Sequence, residues 1–99
     1  MEEIEQILAQ AESDATEASD SLIGLTTQFG SDRLLLEMVT ECNLRRQQIA
    51  LQRNRVGKIK KKLTPESLVE LQLILVQVSE LRDECSRLKS LSEELKRND

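Results

Sequence analysis

Two cysteines, Cys42 and Cys85, are the only thiols of the chain, and no histidine, tryptophan or tyrosine accompanies them. A redox pair needs Cα atoms within about 7 Å. Facing positions on packed helices stand about 8–10 Å apart. Two cysteines are also too few for a disulfide framework or a zinc cage. They read as reduced, buried, inert thiols. The acid pairs Glu2-Glu3, Asp83-Glu84 and Glu93-Glu94 have the composition of acid–base dyads. Catalytic carboxylates need burial to shift their pKa, and neighbouring residues on a helix surface lack it. No Gly-rich phosphate loop, EF-hand loop or Cys-x-x-Cys is present. The sequence assigns no catalytic residue, no cofactor site and no metal site, and no enzyme is expected.

The loudest charged feature is the basic run Arg53, Arg55, Lys58, Lys60, Lys61 and Lys62. Such a run can contact phosphates or serve nuclear import. It lacks the interleaved aromatics of a nucleic-acid groove, since Phe29 is the single aromatic residue of the chain. A solvated face offset by acidic neighbours is the favoured reading, and nucleic-acid or phosphate binding is the alternative.

These residues must be placed by helices. The 99 residues are 38% apolar and 32% charged, with three Gly and one Pro, too few turn formers for a many-stranded β-fold. The first segment spans about residues 2–29. Its apolar positions Ile4, Leu8, Ala11, Ala15, Ala18, Leu22, Leu25 and Phe29 step by 4 and 3 without a break, a heptad seam. The alanines in its middle let a partner helix approach closely. Gly30 reads as a stop, and Ser31 or Asp32 as a cap for the next helix.

The second segment spans about residues 33–62. Its stripe is Leu35, Met38, Cys42, Arg45, Ile49, Gln52, Val56, Ile59 and Leu63, with Arg45 and Gln52 as polar, register-fixing interruptions. Gly57 weakens the helix but leaves it continuous. Thr64-Pro65-Glu66 starts the third segment, about residues 65–96, with a Thr cap, Pro at the first helical position and an acid in the first turn. Its stripe is Leu71, Ile74, Val78, Leu81, Cys85, Leu88, Ser92 and Leu95, flanked by Leu68, Leu75 and Leu91. Eight of the eleven residues from Leu68 to Val78 are apolar, so this helix is expected to be central or to meet a second partner.

Short links force antiparallel neighbours. The expected fold is all-α: a single domain over residues 1–99, an antiparallel up-down-up three-helix bundle with heptad-like, coiled-coil seams. In the second hairpin, opposed positions should sum to about 127, which sets Val56 on Leu71, Ile49 on Val78 and Cys42 on Cys85. Residues 1–32 hold eight acids and no base, residues 33–63 nine bases and two acids, and residues 64–99 eight acids and five bases. A basic rod between two acidic ones favours these pairings. Glu2, Glu3 and Glu5 should approach Lys58 to Lys62, and Glu12 and Asp14 should approach Arg46 to Arg53.

Among the apolar residues off the seams, six stand out as candidates for a partner surface: Leu36, Leu44 and Leu51 on the second segment and Val69, Leu73 and Val76 on the third. They are internal if the third helix uses both faces, and otherwise form a surface for a protein partner or for self-association. The partner would be helical or a small globular protein.

The stretch Ser31-Asp32-Arg33-Leu34-Leu35-Leu36-Glu37-Met38…Cys42…Arg46, followed by Glu66-Ser67-Leu68-Val69-Glu70-Leu71, resembles helices 2 and 3 of the GAT domain, the three-helix module of endosomal and Golgi trafficking adaptors. The likeness covers roughly residues 1–90. Leu75-Val76-Gln77 stands where the family usually has an Asn-Asp pair. The resemblance implies a binding module that uses the faces of helices 1–2 and 2–3. Syntaxin-type N-terminal bundles and spectrin-like repeats share the architecture. The function expected is a non-catalytic helical interaction or adaptor module, with a structural coiled-coil subunit of a homo- or hetero-oligomer as the alternative. The first twenty residues carry seven acids and no base, the reverse of a signal or transit peptide. With no apolar run near the roughly 20 residues a membrane span needs, the expected location is intracellular, in the cytoplasm rather than the nucleus.

Overall fold

A computed structural model describes residues 2–29 and 32–97. Three helices follow in order: α1 (Glu2–Phe29), α2 (Arg33–Lys61) and α3 (Pro65–Arg97). All three pack on one another, giving a bundle of 52 × 18 × 15 Å. Its radius of gyration is 15.7 Å, against about 13 Å for an equally long compact domain. The rod shape follows from three helices of 28, 29 and 33 residues joined by short links. No helix among the described residues is long and apolar enough to cross a membrane.

The helix boundaries have local causes. Asp32 caps α2: its backbone is extended and its carboxylate accepts from the Leu34 amide at 3.0 Å. α2 runs through Gly57 and ends at Lys61, one residue before the expected end, with the Lys62 amide donating to the Ile59 carbonyl at 3.1 Å. α3 ends at Arg97, one residue later than expected. At its start, the Thr64 hydroxyl accepts from the Ser67 amide at 3.2 Å, and the Ser67 hydroxyl accepts from the Thr64 amide at 3.3 Å. This reciprocal box, with Ser in place of the usual acid, satisfies two orphan donors. Thr64→Ala is expected to cost about 1 kcal/mol in urea unfolding, and an unchanged midpoint would show that the box contributes nothing. The stop at Gly30, the cap alternative at Ser31 and the seam assignment of the Phe29 side chain lie outside the described residues and side chains.

The core follows the seams. Ile4, Leu8, Ala11, Ala15, Ala18, Leu22 and Leu25 of α1 are all buried, as are Leu35, Cys42, Ile49, Val56 and Ile59 of α2 and Ile74, Val78, Leu81, Cys85, Leu88 and Ser92 of α3. Ala11 and Ala15 join the cluster of Ile49, Ile74 and Val78, so the alanine stripe packs against large residues of the same chain. Ala18 and Leu22 sit with Cys42 and Leu88 in a second cluster toward the other end.

Three expectations are corrected. The central helix is α1, not α3: α1 packs most extensively on α3, then on α2, while α2 and α3 touch least. Small side chains allow that closeness, and a helix wedged between two neighbours buries a wider stripe, so Ile7, Asp14 and Ser19 are buried as well. Leu63 and Leu68, placed on the seam and its flank, are exposed, because they lie at the α2–α3 turn beyond the reach of α1. Asp14, expected near Arg46 to Arg53, instead meets Lys89 of α3 at 3.6 Å, since position 14 falls on the α3 side of α1.

Candidate functional site

The basic run does not form one surface. Arg53 and Lys60 turn to α1, where they pair with Glu12 and Glu5. Arg55 turns to α3, donating to Gln77 at 3.0 Å and meeting Glu70 at 3.4 Å. Lys58, Lys61 and Lys62 have exposed side chains and make no ion pair among the described residues. Helical rotation of about 100° per residue divides the run among three directions. Reversing Lys61 and Lys62 to Glu should leave stability within about 0.5 kcal/mol, read by chemical unfolding. A larger loss would mean that the two lysines are structural.

The α2–α3 seam is built differently from the others. Polar side chains bridge it in a ladder. Arg87 donates to Glu41 at 2.9 Å and to Glu84 at 3.0 Å, Arg45 approaches Glu84 at 3.9 Å, and Gln52 donates to Gln77 at 3.0 Å. The numbers in the Gln52–Gln77 and Arg45–Glu84 pairs both sum to 129, close to the 127 expected from the sequence. Arg45 also donates through Nη1 to Gln48 at 2.9 Å, and its buried Nε has no partner. Arg87 is held above the ordinary arginine range by its hydrogen bond to Glu84, with Glu41 adding. Opposite, on the α1–α3 seam, Lys89 lies 3.0 Å from Glu17, which raises its pKa, with Asp14 adding.

Outside this ladder lies a groove of about 730 Å³, lined by Arg45, Gln48, Leu51, Gln52 and Arg55 from α2 and by Gln77, Glu80, Leu81, Asp83 and Glu84 from α3. Each wall continues as a heptad row. On α2 the row Leu44, Gln48, Leu51, Arg55, Lys58, Lys62 steps by 4 and 3, and three of its members line the groove. On α3 the row Glu66, Val69, Leu73, Val76, Glu80, Asp83 steps by 3 and 4, and its last two members line the groove. Leu44, Leu51, Val69, Leu73 and Val76 are 48 to 63% exposed, so the apolar surplus of α3 is not absorbed inside the bundle. Leu36 is exposed too, but lies roughly 60° or more around α2 from the Leu44–Leu51 row. By helical rotation five of the six candidates fall on the outer α2–α3 side, Leu51 alone among them lining the groove, and the sixth is set apart. A second groove of about 600 Å³ is lined by Glu12 of α1 and by α2 residues such as Asn43, Arg46, Gln47 and Asn54.

Both cysteines are buried and free. Burial pushes the Cys85 thiol up to about 11, and also raises that of Cys42. Unfolded, the Cys85 thiol ionises at its ordinary value of 9.0. The folded state thus holds this proton more tightly. That stabilisation is complete below pH 9 and disappears as pH rises through about 11. Lys89, also raised, adds a loss of the same sign above its ordinary 10.5. The urea midpoint is expected to fall between pH 9 and 11, and to fall less in Cys85→Ala. Iodoacetamide should label the thiols far more slowly in the native protein than in urea; equal rates would contradict their burial.

Among the described residues, no group of three or more His, Cys, Asp or Glu is placed to hold a metal ion. Set against known proteins, the chain matches no family model, no curated protein and no solved structure.

Proposed function

We propose that this chain is a non-catalytic helical interaction module that presents its α2–α3 face to a protein partner. One observation carries the reading: two heptad rows with apolar centres, Leu44 and Leu51 on one helix and Val69, Leu73 and Val76 on the other, stay exposed, and each row runs into the wall of the α2–α3 groove, Leu51 lining it directly. Apolar side chains at coiled-coil spacing are costly to leave in water, about 25 cal/mol per Å². A helical face with such rows is a docking surface for further helices. In line with the GAT-type resemblance, the proposed setting is an intracellular adaptor, in the cytoplasm and in membrane trafficking. The basic run supports phosphate binding less well, since Arg53, Arg55 and Lys60 already have acidic partners in the bundle.

A photo-reactive residue placed at Val76 tests the proposal in cells. It is expected to give a protein adduct, while the same residue at exposed Asn54, on the α1–α2 side of the bundle, gives none. Equal adduct yields at the two positions would remove the α2–α3 face from consideration.

A further inference from the structure

The charges beside the apolar rows are not evenly spread. Toward the Thr64 end of the face, the α2 row carries Lys58 and Lys62, beside Glu66 of the α3 row and an Arg55 already paired with Glu70, while farther along the α3 row come Glu80 and Asp83. The observed register, with paired residue numbers summing close to 127, sets Leu51 level with Val76, Lys58 with Val69 and Leu44 with Asp83. The face is thus apolar at its middle, net basic at one end through Lys58 and Lys62, and acidic at the other through Glu80 and Asp83.

We infer that the occupant of this face is a second copy of the chain, docked antiparallel about a two-fold axis that crosses the helices at the level of Leu51 and Val76. The inference rests on the reading of this face as a docking surface. A two-fold interface must be self-complementary, each feature meeting its counterpart across the axis. In the antiparallel arrangement the central layer is Leu51 and Val76 from both copies. The layer on either side holds Lys58 and Val69 from one copy with Leu44 and Asp83 from the other. Unlike charges, Lys58 and Asp83, then share each of the two flanking layers, and the apolar residues complete a four-helix core of α2 and α3 from both copies. A parallel pairing puts two Lys58 in one layer and two Asp83 in another, which like-charge repulsion disfavours.

The size of the face sets the strength. From Leu44 to Lys62, α2 runs about 27 Å, and the bundle is 18 Å wide. That strip falls below the roughly 800 Å² per partner of a standard interface. The dimer is therefore reversible, with a dissociation constant on the order of micromolar or weaker.

Sedimentation equilibrium of the full chain, with interference detection because tryptophan and tyrosine are absent, decides the matter. Between about 1 μM and 1 mM, the mass should climb from 11.3 kDa toward twice that value. Lys58→Glu should weaken association at least tenfold, and Lys58→Glu combined with Asp83→Lys should restore it. Both positions are exposed, so circular dichroism should show the fold intact in each variant. A monomer at every concentration overturns the second copy as occupant, and a heterologous adduct from Val76 would then leave the docking face standing. Association indifferent to Leu51→Lys and to both charge variants would overturn the face itself.

Discussion

Ala15→Leu should lower the stability of the chain by about 3 kcal/mol, the upper end of what an inserted isobutyl group costs in a packed core. Ala15 is fully buried, in one cluster with Ala11, Ile49, Ile74 and Val78. The approach of α3 to α1 depends on the small side chains there. Three extra heavy atoms at that point have no rotamer that avoids a neighbour, so the helices must move apart. Separation removes contacts along the seam on both sides of the substitution. For a domain of this length the melting temperature should drop by roughly 12 °C or more. Ala9→Leu makes the same chemical change on an exposed position of the same helix, and should alter stability by less than about 0.5 kcal/mol. Thermal unfolding followed by circular dichroism compares the two. Equal effects would mean that the alanine stripe is not a close-packed contact.

Ile74→Ala and Leu73→Ala should differ more than any other pair of neighbours. Ile74 is 0% exposed and Leu73 is 58% exposed, although both are large aliphatic residues in the most apolar stretch of the chain. Truncating Ile74 removes buried methylenes and leaves a hole that the bundle fills only in part. The expected loss is about 2–5 kcal/mol. Truncating Leu73 takes apolar surface out of water, so stability should stay within about 0.5 kcal/mol at concentrations where the chain is monomeric. Urea unfolding with linear extrapolation gives both values. A loss above 1 kcal/mol for Leu73→Ala would place that side chain inside the bundle.

Much of the fold could be read from the order of residues, and the reason is geometric. A 4-and-3 spacing in α1 has one helical interpretation, and Thr64-Pro65 marks a helix start with few competitors. Complementary charge then selects which rods pair, as Arg53 with Glu12 and Lys60 with Glu5 illustrate. Less legible was the choice of central helix. Hydrophobic content pointed to α3, whereas closeness of approach decided for α1, and closeness depends on how small the facing residues are. The Ser67 half of the cap box was also hidden, because Glu or Gln is the usual residue at that position. Asp14 shows the same limit: burial of an acid on α1 becomes explicable only when Lys89 arrives from α3.

The candidate face was half visible. Val69, Leu73 and Val76 stood off the main seam by spacing alone, but whether a neighbour covers them depends on interhelical angles that no local pattern encodes. Leu36 and Leu44 look equivalent in the sequence, and the rotation of α2 separates them. The groove was out of reach altogether, since its floor is made by Gln52, Gln77, Arg45 and Glu84 meeting across two helices.

The heavy reliance of α1 on α3 bears on how the chain acquires its structure. During synthesis the first helix emerges well before the third, and Asp14 and its partner Lys89 lie 75 residues apart in the sequence. Closing so long a loop is entropically slow. Until it closes, the alanine-lined stripe lacks the large α3 residues Ile74 and Val78, and α2 and α3 share the smallest of the three helix contacts. Neither half should persist by itself, and the bundle is expected to form late, in one cooperative step once α3 is available.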